Sequence, residues 1–276
     1  NEDDYVNLGS YNGLSIDDGD ENVTAQGTIW ITDLVAGGSG DITLKGANVG
    51  VNYAKAEGNE IKLTANNGDI FEYTTDTDTD IISQDLILSA KTGIGFGNAF
   101  ETGVSNLQAT NTTSGNIEID NHGALTLVDL NSDGYAVKND GGQVIISATS
   151  PLTISDKVIT NGGDVNLSAS GNITQTPTGD IETNGGNYTA NAGGSYTMQN
   201  QISGGSQIDV AEIVTSGGNV EIDSSGDIGV GLINAGNGTV RLASSNGGIR
   251  DIGWGVNIIA QNLISSTATG FGTGLD

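Results

Sequence analysis

The sequence contains no cysteine, so disulfides cannot brace the chain and thiol chemistry is excluded. Proline occurs twice in 276 residues, aromatics make up 5%, and bases number 8 against 34 acids, a formal net charge of -26. Phosphate recognition needs clustered Lys and Arg, so nucleic acid is excluded as a partner. Anionic membrane surfaces are excluded on the same ground. No run of 18 apolar residues occurs, so no membrane-spanning helix is expected. The opening Asn1-Glu2-Asp3-Asp4 lacks the basic start and apolar stretch of a signal peptide. A secreted protein of this kind would take its targeting sequence from outside this segment.

What is plentiful is glycine, at 44 residues, while hydrophobic residues reach only 35%. A low apolar share with regular strand signals fits a narrow core with much surface per residue, as in a solenoid. One pattern recurs: Gly or Asn, a polar residue, then apolar-polar-apolar. It is seen in Gly40-Asp41-Ile42-Thr43-Leu44, Asn59-Glu60-Ile61-Lys62-Leu63 and Gly115-Asn116-Ile117-Glu118-Ile119. It returns in Gly142-Gln143-Val144-Ile145-Ile146, Gly163-Asp164-Val165-Asn166-Leu167, Gly218-Asn219-Val220-Glu221-Ile222 and Gly238-Thr239-Val240-Arg241-Leu242. Period-2 alternation means strands with one buried face, so Ile42, Leu44, Ile117 and Ile119 should face a core and Thr43 and Glu118 solvent.

The motif returns at nearly even offsets: 19 from Ile42 to Ile61, 21 from Val144 to Val165 and 20 from Val220 to Val240. Weaker apolar pairs, such as Leu125 and Leu127 or Leu152 and Ile154, fall between copies. That is the spacing of one coil with two or three short strands, stacked on its neighbours. The expected fold is all-β, a right-handed parallel β-helix of about thirteen coils of roughly 20–22 residues, rising about 4.8 Å per coil. A longer period lies above the coil. Gln84-Asp85-Leu86-Ile87 matches Gln261-Asn262-Leu263-Ile264 at an offset of 177, and Ile29, Ile31, Leu34 and Leu63 match Ile208, Val210, Ile213 and Leu242 at 179. The chain therefore reads as an acidic N-terminal segment over residues 1–26, a cap or junction strand, followed by about one and a half super-repeats over 27–276.

The strings Thr92-Gly93-Ile94-Gly95, Val104-Ser105-Asn106-Leu107-Gln108-Ala109-Thr110-Asn111-Thr112-Thr113-Ser114-Gly115-Asn116-Ile117-Glu118-Ile119-Asp120-Asn121 and Gly162-Gly163-Asp164-Val165-Asn166-Leu167-Ser168-Ala169-Ser170-Gly171-Asn172-Ile173-Thr174 resemble the repeats of giant filamentous-haemagglutinin-like surface proteins. The resemblance covers nearly all of the chain after residue 26. It implies right-handed β-helices exported by a two-partner route across a Gram-negative outer membrane, and an extracellular or cell-surface location. It also implies a role as stalk or adhesin; the family's N-terminal secretion domain, with its Asn-Pro motif, is not visible here.

Three stretches carry candidate chemistry. Thr74-Thr75-Asp76-Thr77-Asp78-Thr79-Asp80 spaces three carboxylates two positions apart. In a strand, Asp76, Asp78 and Asp80 would share one face and offer hard oxygen ligands to Ca²⁺. A solvated polar loop accounts for the same residues, and the equivalent stretch near 251–256 lacks the alternating acids. Asp17, Asp18 and Asp20, in Asp17-Asp18-Gly19-Asp20-Glu21, form the second candidate. The only histidine, His122, stands beside Asp120 and reads as a turn residue after a strand. Carbohydrate cleavage on a β-helix needs clustered carboxylates with a base or His, and no such constellation surrounds His122, Arg241 or Arg250.

The expected function is a non-catalytic structural or adhesive segment of a secreted bacterial surface fibre. The alternative is a filament subunit joined end to end through β-helix edges, and a carbohydrate-active enzyme is the third class. No cofactor is expected beyond Ca²⁺. Expected partners are flanking repeats or other copies of the same protein, and a host or neighbouring-cell surface. Residue 276 is expected to halt at an uncapped coil, with residues 1–26 filling the gap in a neighbouring copy.

Overall fold

The computed structural model describes residues 6–7, 14–16 and 21–273, except 37, 39, 73, 75 and 96. Among the described residues there is no helix. Short strands pair in parallel from turn to turn and build a β-solenoid of about 12 turns. One column of registered residues traces the whole length: Val6, Ile29, Val49, Ile70, Ile94, Ile117, Val144, Val165, Tyr188, Val220, Val240 and Leu263. From Ile29 to Val240 each member is fully buried.

The period-2 reading explains why. In Ile117–Asn121 and Val165–Ala169, first, third and fifth residues are buried and those between them are half-buried. Ile42, Leu44, Ile61, Leu63, Val144, Ile146, Val220, Ile222, Val240 and Leu242 all lie in the core. Thr43, Lys62, Glu118, Asn166, Glu221 and Arg241 lie on the outer parity and are half-buried. A single turn leaves its apolar side chains exposed above and below. Stacking covers both sides, at about 1.5–3 kcal/mol for each fully buried Val, Leu or Ile.

Between Val6 and Leu263 the column has eleven intervals with a mean offset of about 23, longer than the motif spacing alone suggests. Hence the count is about 12 turns rather than thirteen. Insertions at corners supply the excess. The turn from Tyr188 to Val220 is the longest of the column, because Asn200–Ser203 and Ser206–Val210 form an antiparallel hairpin outside the solenoid. The turn from Ile117 to Val144 is also extended.

The cross-section also changes along the axis. In the early turns one strand, Ile42–Gly46, points both Ile42 and Leu44 inward. The long strand Phe100–Asn111 then pairs Leu107 with Leu127 and Ala109 with Val137, on two separate strands. A corner opens between them, and residues 128–136 fill it. This change bears on the long sequence period. Ile29 is buried in the solenoid while its match Ile208 is 57% exposed on the hairpin. Leu63 and Leu242 are both buried but lie on different columns. The described strands of residues 1–26 pair within this chain: Val6 registers with Ile29, Leu14 with Leu34 and Glu21 with Ile42.

Turns are held by two polar devices. Asn139 Nδ2 donates to Gln143 O at 2.8 Å, and in following turns Thr160, Thr183 and Thr215 donate their hydroxyls to Gly163, Gly186 and Gly218 carbonyls. The glycines of these turns form a spine along the axis. A Cβ at Gly163 would stand 1.9 Å from Gly142 O, one at Gly186 2.1 Å from Gly163 O, and one at Gly218 1.9 Å from Gly186 O. The recurrent Gly before each strand is therefore dictated by close approach of successive turns. Gly186→Ala should force adjacent turns apart and lower stability by about 1–3 kcal/mol, read as a reduced midpoint in urea unfolding. An unchanged midpoint would contradict the close stacking.

Candidate functional site

Among the described residues, three acids gather where a corner lengthens. Thr32-Asp33 and Asn52-Tyr53 link the first and second strands of two early turns. In the next turn, Ile70–Glu72 is followed by residues 73–80 before Ile81–Ala90 begins. Glu72 registers with Val51 and takes the same inward parity. At the far end of the loop, Asp80 N–H donates to Glu101 O at 2.8 Å, and Asp80 O accepts the Ala54 N–H at 2.7 Å. That pairing fixes Asp80 between two turns. Glu101 follows the buried Phe100, and its N–H donates to Asp80 Oδ2 at 3.3 Å.

Glu72, Asp80 and Glu101 are thereby brought together, each offering a carboxylate oxygen within 4.8 Å of the others. Their residual exposures are 7%, 1% and 8%. Thr74 Oγ1 donates to Glu72 Oε1 at 2.8 Å, and Asn98 Nδ2 donates to Glu72 Oε2. Glu101 Oε2 is buried and has no hydrogen-bond partner. Among the described residues none of the three forms a salt bridge. Burial, and then the Glu72 and Glu101 charges, push the Asp80 carboxyl up to about 8. Burial, followed by Glu72, also raises Glu101. An isolated buried carboxylate is costly, so this group calls for protons or a cation.

Of the sequence candidates, only Asp80 enters this cluster. Thr74, Asp76 and Asp78 are bends and none of the described residues of this loop is in a strand, so the alternation that would place three acids on one face is not established there. Asp76 and Asp78 are exposed, with the Asp78 N–H donating to Asp76 Oδ1 at 2.8 Å. Asp17, Asp18 and Asp20 lie outside the described residues. Glu72 and Glu101 were not among the sequence candidates, because each stands singly and the two are far apart in the chain. The available signal was an acid at an inward-parity position, as in Ile70-Phe71-Glu72. His122 is an exposed residue following Ile117–Asn121, and its Nδ1 lies 3.0 Å from Thr79 Oγ1.

A second acidic loop also escaped the sequence reading. Asp129-Leu130-Asn131-Ser132-Asp133-Gly134 has the D-x-N-x-D-G spacing of Ca²⁺-binding loops and fills the corner before Val137–Asn139. Here its side chains cap its own backbone. Asp129 Oδ2 accepts the Gly134 N–H at 2.8 Å, and Asn131 Oδ1 accepts the Asp133 N–H at 3.0 Å.

Elsewhere both arginines are engaged across turns: Arg241 pairs with Glu221 and Asp223, and Arg250 with Asp227. An open groove of about 750 Å³ beside Arg241 is lined largely by small residues, including Ala169, Ala192 and Ser224. Trp30 and Phe71 meet edge to face at 5.3 Å, over Gly50, where a Cβ would collide with both rings. No family model, curated protein or solved structure matches the chain.

A further acid, the half-buried Asp180, lends itself to measurement. Asp180 Oδ1 accepts the Glu212 N–H at 3.0 Å. Burial raises its carboxyl to about 6, opposed by that hydrogen bond and by Lys157, and reinforced by the Glu212 and Asp209 charges. An unfolded Asp titrates near about 3.9. Between these values the folded chain holds a proton that the unfolded chain has lost. The Asp180 contribution is therefore full below about 4 and lost as pH rises through about 6. Melting temperatures of native and Asp180→Asn proteins should nearly coincide below about pH 4, with the variant gaining as pH rises from about 4 to about 6 and the gap levelling off above that. A gap that stays constant with pH would refute the assignment.

Proposed function

We propose that this chain is a non-catalytic, rod-forming segment of a secreted bacterial surface fibre, with a stalk or adhesive role. The observation that carries the reading is the continuous column from Val6 to Leu263, buried from Ile29 to Val240. Consecutive turns share a backbone ladder, so the fold's natural product is length. At about 4.8 Å per turn, the described turns span roughly 50 Å. The net charge of -26 opposes lateral clumping of such rods. The resemblance of residues 92–121 and 162–174 to filamentous-haemagglutinin-like repeats supports a surface location on a Gram-negative cell. The pairing of Arg241 and Arg250 with neighbouring acids supports a structural rather than catalytic use of the bases. An antibody raised against the chain should label intact source cells, and negative-stain images should show it in fibres. Labelling only after permeabilisation, or cleavage of a polysaccharide by the purified chain, would defeat this reading.

A specific observation favours a second reading, assembly end to end. In the last described turn, Asn262–Thr267 and Gly270–Thr273, the apolar Leu263, Ile264 and Phe271 are about half exposed at 46%, 55% and 46%. An open strand edge beside apolar side chains templates a further turn, whether from the same polypeptide or another copy. Residues 274–276, where the uncapped end was expected, lie outside the described residues. Assembly between copies requires scattering mass to rise with protein concentration, and Leu263→Lys should suppress that rise. A monomer at all concentrations leaves only the stalk.

A further inference from the structure

The cluster of Glu72, Asp80 and Glu101 has an unusual combination of properties for a structural solenoid. Three acids occupy one enclosed corner, donated by three different points in the chain: the end of one strand, the exit of a loop, and the next turn. The donors around them are neutral, namely the Thr74 hydroxyl, the Asn98 amide and the Glu101 backbone N–H. None carries a positive charge. The Glu101 side chain is more than nine-tenths buried, and its Oε2 receives no hydrogen bond. A buried oxygen with no donor is a stability cost that native proteins rarely carry.

We propose that Glu72, Asp80 and Glu101 form a binding site for a hard divalent cation, Ca²⁺, that clamps the lengthened corner to the next turn. The geometry fits the ion. Ca²⁺ takes oxygen ligands at about 2.3–2.6 Å, so two oxygens on one ion lie at most about 5 Å apart. The three carboxylates already meet that limit, at 4.8 Å or less. Hard oxygens without His or Cys select Ca²⁺ or Mg²⁺ over softer metals. Mg²⁺ needs near-ideal octahedral ligands at about 2.0–2.1 Å, whereas an irregular corner that mixes strand-end and loop carboxylates suits the more tolerant Ca²⁺. The ion would supply the partner that Glu101 Oε2 lacks and offset most of the charge of three adjacent acids. Water would complete the shell. The site differs from the array read in the sequence: it shares Asp80 with it and leaves the exposed Asp76 and Asp78 outside.

The proposal is tested on the full chain, stripped with EDTA and dialysed into about 0.15 M NaCl, where exposed charges are screened beyond about 8 Å. CaCl₂ is titrated calorimetrically and by thermal melting. The native chain should show a saturable binding component and a higher melting temperature with CaCl₂. Glu101→Gln and Asp80→Asn should each weaken that component at least tenfold. The Asp76→Asn/Asp78→Asn double variant and Asp129→Asn should keep it within twofold. With less repulsion, metal-free Glu101→Gln should also melt above the metal-free native chain, which a purely structural glutamate would not do. No saturable binding by the native chain overturns the site, even if a variant fails to fold. So does calcium binding that survives both triad substitutions, or that disappears only with Asp129→Asn or with the exposed pair.

Discussion

Everything in this chain depends on the parallel backbone ladder that ties each turn to the next. A single turn has no core of its own, because its few inward side chains form one flat layer. The ladder fixes the distance between layers, and at that distance Val, Ile and Leu of successive turns touch. Side-chain packing and backbone pairing are thus two results of one constraint, the strand spacing of about 4.8 Å. The same constraint explains the glycine spine. Where Gly163, Gly186 and Gly218 stack, the preceding turn's carbonyl lies within 2.1 Å of any added Cβ, so the ladder would have to open to admit one.

Polar groups that enter the stack have to find partners within it. Tyr188 and Tyr196 stand fully buried where aliphatic residues occur in other turns. Their hydroxyls meet at 2.8 Å, Tyr196 donates to Gln175 Oε1 at 3.0 Å, and Gln175 Nε2 donates to Glu212 O at 2.7 Å. Burial raises both phenols well above their ordinary range, so they remain neutral. The acid corner at Glu72, Asp80 and Glu101 is the counter-example, a buried polar group whose protein partners do not suffice.

Much of the architecture was legible because alternation is local. Ile117-Glu118-Ile119 or Val165-Asn166-Leu167 states which residue points inward without reference to any other turn. The number of turns was less legible, because corner length is not a property of the strand motif. Within 199–211 the pair Gly204-Gly205, both at positive φ, marks a two-residue hairpin turn, but the letters do not say that this hairpin leaves the solenoid. The long sequence period aligns Ile29 with Ile208 by letter, while in the structure Ile29 is buried in the solenoid and Ile208 is exposed on the hairpin. The acid cluster was legible in one member only. Asp80 stands in an evident acidic run, but Glu72 and Glu101 are joined to it by the pitch of the turns, and pitch is set by the corners.

The hairpin Asn200–Ser203 and Ser206–Val210 shows what the corners permit. The segment leaves the solenoid and returns, and Ile181 still registers with Ile213 on the next turn as though nothing intervened. Change in such a molecule is therefore sorted by location. The flat faces admit substitution but no change of length, while the edges admit whole excursions. Related chains would keep blocks of constant size separated by gaps of any size. New surface features could be added at one edge without retuning the pitch of the rod that displays them.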